Sequence, residues 1–463
     1  RPPRSTLFPY TTLFRSLRGL AALLVVFYHI RALETLSIAA NGLEEVTWVS
    51  RVFSNGYAGV DLFFVISGFI MVFVTRSGQT GLQPAADFLF ARATRIYPIW
   101  WAFAGMMTIY MAAAHGLPNG TDGWQTVSRS QPPVDYVVKS FLLLPQAEFP
   151  ILGVGWTLVH EVYFYAVFAL FMLLPRRLLP FLLTAWAAMI VAGGFAGFSV
   201  PFAGTMRELV FYPMTMEFIL GAFAGLAVVS GWVWRPGVLA LVAALWLAGV
   251  LSYHGVETPD TLKWGRVLWY GPPSALLIYA LAGLDLKRRL AWLIPAAAGF
   301  LVALGIYQLA GLSETSPDLA RQDAAVLATI VGALAMLAVL WTGWLLGYAA
   351  PGPLRATQPF FQRLMRWAVR LGDWSFSLYL SHIIVLTAVR RTFETLGTRE
   401  ALAPYFRLGA PGPVDNLLFL VLCLVLSIAG AWLAYRYIEK PWIILFGDLR
   451  RFLFHRRRGL ASA

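Results

Sequence analysis

The sequence predicts an all-α, polytopic transmembrane helix bundle of about 10–12 spans with both termini cytoplasmic. Three observations predict it. Hydrophobic residues make up 59% of the 463 residues and charged residues only 13%, with a mean hydropathy of +0.68; a soluble chain of this length would lack the polar surface to cover itself. Apolar runs of about 18–25 residues, each long enough to cross a hydrocarbon core of ~30 Å, recur along the chain. The basic residues behind the net charge of +13 lie between those runs rather than in one patch, which excludes a nucleic-acid partner. Cys423 is the only cysteine, so an internal disulfide, a cysteine-based zinc site and a CxxC redox motif are excluded as well.

Taken in order, spans are expected to begin near Leu17, Tyr57, Tyr97, Trp156, Leu178, Glu208, Trp232, Val267, Arg289, Asp323, Trp374 and Asn416. Short basic turns such as Pro175-Arg176-Arg177 and Lys287-Arg288-Arg289 mark helical hairpins. The longest connection, His115 to Gly155, is rich in Gly, Pro and Asp, and Tyr136 to Leu144 within it reads as a re-entrant or interfacial piece. No internal repeat is present. Before the first span, Thr6 to Ser16 (TLFPYTTLFRS) is the in-frame translation of a common sequencing-adapter oligonucleotide. Residues 1–16 are therefore expected to be an assembly artefact, 17–442 the membrane domain and 443–463 a basic cytoplasmic tail, with Arg450 to Arg458 in contact with anionic lipid.

Charge placement tests this division. The even-numbered links and the C-terminal tail hold twenty Lys and Arg, the odd-numbered links twelve, while acids divide five to fifteen the other way. The positive-inside rule then puts both ends on the cytoplasmic side of a cell inner (plasma) membrane.

Few ionisable groups remain inside the spans: Asp61, Glu161 and Glu217, with Arg18, His29, His160 and His382 within or at the edge. Such groups are costly in lipid and mark function by default, the plainer reading being a buried pair that joins helices. At 1.5 Å per residue, His29 lies about 16 Å beyond Arg18, while Asp61 and Glu161 lie roughly 6–8 Å from the outer boundary. His29 and Glu161 can therefore meet in the outer half of the membrane, as a histidine beside a carboxylate suited to general-base chemistry. Arg92 and Arg95, three residues apart, share a helix face at the inner mouth of the third span, fit for phosphate or lipid headgroups or for ordinary positive-inside flanking. Asp61 is assigned to pairing or helix capping. His382, behind Ser375, Ser377, Tyr379 and Ser381, lines a substrate path or bonds a neighbouring helix. His160 points to a different face from Glu161, toward the interface, and Glu217 has no assigned role.

Six motifs follow one another along the chain: Arg18-Gly-Leu-Ala-Ala-Leu-Leu-Val-Val-Phe-Tyr-His29, Gly59-Val-Asp-Leu-Phe-Phe-Val-Ile-Ser-Gly-Phe69, Arg92-Ala-Thr-Arg-Ile-Tyr-Pro98, Gly155-Trp-Thr-Leu-Val-His-Glu161, Trp374-Ser-Phe-Ser-Leu-Tyr-Leu-Ser-His382 and Tyr435-Arg-Tyr-Ile-Glu-Lys-Pro441. In these the chain resembles the acyltransferase-3 family of bacterial integral membrane acyltransferases, in particular its exopolysaccharide O-acetylating branch, over Leu17 to about Trp442. The resemblance implies an O-acyltransferase that takes an acyl group, commonly acetyl, from cytoplasmic acyl-CoA to a hydroxyl of a glycan or lipid-linked saccharide acceptor. It implies His29 and Glu161 as the catalytic pair and Arg18, Arg92 and Arg95 on the acyl-CoA side; Asp61, Tyr379 and His382 are, from their placement in the spans, the candidates for a substrate path. Acyl-CoA enters as co-substrate, with no permanently bound cofactor and no metal. The acid that precedes the first arginine in the family is missing here, where Ser16 belongs to the adapter stretch. A transporter or flippase also has a dozen spans with charges at mid-depth, but its usual two related halves are not found in this sequence.

Overall fold

The computed structural model describes residues 10–43, 55–76, 79–118, 124, 127–200, 203–253, 264–287, 293–310, 330–338, 366–409 and 413–455. The described elements are helical, with no strand among them. They are α1 (Tyr10–Ala40), α2 (Ala58–Val74), α3 (Leu82–His115), α4 (Pro133–Leu142), α5 (Trp156–Phe171), α6 (Leu179–Phe195), α7 (Met206–Val210), α8 (Thr215–Val229), α9 (Pro236–Tyr253), α10 (Trp264–Leu286), α11 (Leu293–Ala310), α12 (Ser375–Leu396), α13 (Ala403–Phe406), α14 (Pro413–Ala434) and α15 (Lys440–His455). Among the described residues seven helical stretches are long and apolar enough to cross a membrane, and Ala58–Val74 and Pro236–Leu251 are shorter apolar helices. The chain is an all-α, multi-pass membrane protein. The tenth expected span, from Asp323, is described only at 330–338; residues 1–9 and those beyond His455 lie outside the described residues.

The chain divides into two compact units, the first made of Arg1–Phe73, Glu217–Ser375 and Val389–Leu424, the second of Val74–Met216, Phe376–Ala388 and Val425–Ala463. In the first unit α1 and α2 run antiparallel. Gly56 and Gly59 face the backbone of Leu24 and Ala21 so closely that any side chain there would overlap a carbonyl. α2 and α8 run parallel by the same device, Gly68 against Phe218 and Gly221 against Val65. Lipid offers no hydrophobic drive between helices, so close backbone approach at small residues supplies the van der Waals attraction instead. Val65, Ile66, Phe69, Ala224, Val228, Ile278 and Ala282 fill the core where α2, α8 and α10 pack. α1 extends back to Tyr10; Phe14 packs on Phe69 with ring centroids 4.8 Å apart, and Arg15 lies 3.3 Å from Asp373.

In the second unit α3 and α5 run antiparallel, with the Gly81 N–H donating to Met172 O (2.9 Å), Phe88 edge-on to Tyr165 (6.0 Å) and Trp100 against Gly155. α3 begins at Leu82, not near Tyr97, and its 34 residues run about 51 Å. The segment before Tyr97 is rich in Ala, Leu and Arg, strong helix formers, and α15 packs along it. Arg450 binds Asp87 through Nε and Nη2 (2.5 and 2.8 Å), and Phe446 and Phe454 meet Phe90. The stretch read as a basic tail from 443 is thus helical to His455. The sixth expected span is split into α7 and α8 by a turn at 211–214 that contains Pro213, and Glu208 closes a capping box with Thr205 instead of entering a span.

The connection between α3 and α5 is ordered by aromatic donors. Trp100 and Trp101 give their ring N–H to Ser140 O (3.1 Å) and Phe141 O (3.0 Å), and the Tyr97 hydroxyl donates to Leu142 O (3.1 Å). These carbonyls lie in the last turn of α4, where intrahelical donors run out; Ser140 O also takes the Leu143 N–H (3.3 Å). Farther along, Glu148 accepts the N–H and hydroxyl of Ser130 (2.8 and 2.6 Å). Slight burial pushes this carboxyl up, and the Ser130 bonds outweigh it, holding it below the usual carboxylate value.

Candidate functional site

His29 sits half-buried on α1, eleven residues from Arg18, which is about three turns and so the same helix face. Its Nδ1 lies 2.9 Å from Val25 O, so Nδ1 carries the proton and Nε2 is the basic nitrogen. The ring of Tyr28 stands edge-on to His29 (5.2 Å) and to Tyr57 (5.6 Å). Tyr57 in turn bonds the Tyr270 hydroxyl (2.8 Å). Arg18, which depth counting put at the inner face, is level with Leu62–Val65, between the Ala21–Gly59 and Phe14–Phe69 contacts. The reason is that the first helix starts at Tyr10, two turns before Leu17.

Asp61 is fully buried and paired. Arg266, in the first turn of α10, gives Nε and Nη2 to the two Asp61 oxygens (2.9 and 2.7 Å) and Nη2 also to Tyr57 O (3.1 Å). Glu217 joins this pair. It stands one turn before Gly221 as Asp61 stands one turn before Val65, so the parallel packing of α8 and α2 puts the two carboxylates level. Glu217 is fully buried. Each carboxylate occupies the first turn of its helix, where the positive end of the macrodipole favours negative charge. The division into spans places Arg266 in a link, just before the span from Val267, and assigns Glu217 no role. The signal that could have found them is their shared position, in the first turn of three apolar helices. Arg31 and Glu34 are not among the ionisable groups expected inside the spans. They lie inside α1 as a buried ion pair.

In the second unit the structure brings Arg92 and Glu161 together. Counting along the antiparallel pair from the Gly81–Met172 bond, each lies eleven residues in, so they are level. The Arg92 guanidinium packs on the rings of Phe88 (5.8 Å) and Tyr165 (5.9 Å), and the Tyr165 hydroxyl donates to Glu161. This corrects the expected depths, which put Arg92 at the inner mouth of its span and Glu161 near the outer boundary. α3 starts fifteen residues before Tyr97, so Arg92 lies three turns inside the helix. Arg95 is half-buried one turn further along.

The two closing motifs meet each other. Ser377 Oγ donates to Glu439 Oε2 (2.6 Å), and Glu439 sits in a π-helical turn at Tyr435–Glu439 between α14 and α15. Tyr379 shares a hydrogen bond with Thr157 Oγ1 (2.9 Å) and donates to Val154 O (3.2 Å), tying α12 to the start of α5. His382 is buried with Nδ1 on Leu378 O (3.0 Å) of its own helix. His160, expected at the interface, is buried and stacks on Tyr212 (4.3 Å), because the turn that breaks the sixth span carries Tyr212 over it. His29 belongs to the first unit and Glu161 to the second.

Comparison with known proteins gives these residues a setting. An exopolysaccharide production protein of Rhizobium meliloti (ExoZ) is 31% identical over 248 residues, covering 50% of this chain and 68% of the relative. An acyltransferase of Streptomyces mycarofaciens (MdmB) is 30% identical over 309 residues, covering 62% of this chain and 73% of the relative. No solved structure matches. The acyltransferase domain that defines the acyltransferase-3 family matches residues 14–285, more than half of the chain and every motif from Arg18 to Glu161, and the chain belongs to that family.

Proposed function

We propose that this membrane acyltransferase moves an acyl group, acetyl in the first instance, from cytoplasmic acyl-CoA to a hydroxyl of an extracytoplasmic glycan or lipid-linked saccharide. The observation that carries the reading is the His29 imidazole, half-buried in a lipid-embedded helix with its proton held at Nδ1 by Val25 O. Nε2 removes the proton from the acceptor hydroxyl as that oxygen attacks the thioester carbonyl. The tetrahedral intermediate collapses with loss of the CoA thiolate, which takes the same proton back from the imidazolium. Glu161, beside Arg92 in the second unit, is the half-buried acid of its motif in this reading. An acyl-histidine intermediate is the variant in which Nε2 itself attacks the thioester first.

On the donor side, Arg92 and Arg95 meet the phosphates of acyl-CoA, and Arg18 stands on the same face of α1 as His29. The position of Arg92, three turns along α3, supports a donor that reaches in between helices rather than one bound at their surface. The exopolysaccharide role named for the Rhizobium relative supports a glycan acceptor, and the bacterial sources of both relatives support a bacterial inner membrane with both ends of the chain in the cytoplasm. His29→Ala tests the reading. Transfer of labelled acetyl from acetyl-CoA to cell-surface glycan should fall by about 10²–10⁴-fold, with expression and membrane insertion unchanged. Transfer at the wild-type rate would falsify the role of His29.

A further inference from the structure

Arg266 and its neighbours hold one face of the environment of His29, and Arg266 lies in none of the six motifs. α10 presents Arg266 and Tyr270, four residues apart and so on one face, to Tyr57. The guanidinium donates to Tyr57 O (3.1 Å) and lies 5.0 Å over the Tyr57 ring, while the Tyr270 hydroxyl bonds the Tyr57 hydroxyl (2.8 Å). Asp61 takes Nε and one Nη2 hydrogen in two bonds, so the charge is neutralised while the other Nη2 hydrogen is aimed at Tyr57 O. Asn55 is tied to Leu251 O on the other side of the turn. Tyr57 is thereby clamped at both its backbone and its ring. Tyr28 stands edge-on to that ring, and His29 edge-on to Tyr28. All of these residues belong to the first unit.

An ion pair that only joined α2 to α10 would need the two Asp61 bonds and nothing more. The third bond and the cation over the ring direct Arg266 at the aromatic pair that limits how the His29 ring can turn. We propose that Arg266 is a positioning residue for His29, acting through Tyr57 and Tyr28. The role rests on the reading of His29 as the base. It follows the general rule that a base holds its tautomer and orientation only as well as its supporting groups are held. A lysine keeps the charge opposite Asp61 but has no planar fork, so it cannot hold Asp61 by two bonds and Tyr57 O by a third in the same geometry.

The test uses the full chain in lipid nanodiscs with ¹⁵N-labelled histidine, the His29 signals being assigned with H29Q. Ring-nitrogen shifts are recorded for the wild type, Arg266→Lys and Tyr28→Leu from about pH 5 to 9, the range in which imidazole titrates. CoA release from acetyl-CoA and thermal unfolding are measured on the same samples. In the wild type His29 is expected in the Nδ1–H form alone. In both variants a second tautomer is expected, with kcat for CoA release down about tenfold or more, KM for acetyl-CoA within about twofold, and the unfolding midpoint little changed. If Arg266→Lys does not fold, Tyr28→Leu carries the test, since it leaves the ion pair intact. Wild-type His29 signals in the variants overturn the proposal, whatever happens to turnover. Shifted signals beside a wild-type chain that releases no CoA leave the positioning role standing and sink the acyl-transfer reading instead.

Discussion

Each unit holds an arginine opposite a carboxylate inside the membrane, and the two are built differently. In the first, Arg266 grips Asp61 with two short bonds, both side chains are almost wholly buried, and a second carboxylate, Glu217, stands level with Asp61. In the second, Arg92 rests on two aromatic faces, and Glu161 takes a hydroxyl from Tyr165, four residues on in the same helix. The first arrangement consumes the charge it contains. The second holds a cation and an anion in place by rings and a hydroxyl, which leaves more of their charge for a ligand. A buried ion pair adds little over apolar packing, yet breaking one is costly because a charge is left alone. The first site should therefore reveal itself in stability and the second in turnover.

The largest effect should follow loss of Arg266. Arg266→Ala leaves the buried Asp61 carboxylate without its cation, and unfolding in detergent should show a loss of about 3–5 kcal/mol. A smaller loss than from Glu161→Gln would reverse the comparison. For Glu161→Gln, stability should stay within about 1 kcal/mol of the wild type while acetyl transfer falls about 10²-fold. A smaller change is expected from Glu217→Gln. One guanidinium balances one carboxylate, and an amide has the same shape as the second carboxyl, so stability should stay within about 1 kcal/mol of the wild type; a clear loss would mean that Glu217 has a cation of its own. Smallest and most local is a pH effect at Glu148. Its carboxyl is held below the usual value of about 4.3, so its contribution is present above that value and is lost as pH falls through its own lower one. Hydrogen exchange at the Ser130 N–H should speed up in that acid range, and E148Q should remove the dependence.

Much of this was legible in the sequence. Spans starting near Tyr57, Trp156, Leu178, Val267 and Trp374 agree with α2, α5, α6, α10 and α12 to within a few residues, because twenty apolar residues in lipid have few options besides a helix. Alternation along the chain also made α1 and α2 antiparallel, α3 and α5 antiparallel, and α2 and α8 parallel, as the structure has them. The rule that sent charges to loops failed where a charge has a partner. Arg31 has Glu34 on its own helix, and Arg266 has Asp61, 205 residues away. The start of α3 failed for a related reason. Arg92 and Arg95 looked like the edge of a membrane, yet the helix continues through them because Tyr165, Phe88 and α15 cover that stretch.

By itself, then, the sequence determined a membrane-spanning all-α chain, its family and the motifs that carry His29, Glu161 and the arginines. Hydrophobic length and local spacing are properties of neighbouring residues. Only the tertiary structure decided that Arg92 is level with Glu161, that Ser377 meets Glu439, and that Arg266 closes on Asp61 beside Glu217. Those pairings depend on helix register. Register is set where glycines such as Gly68 and Gly221 let two backbones touch, through contacts between segments far apart in the chain.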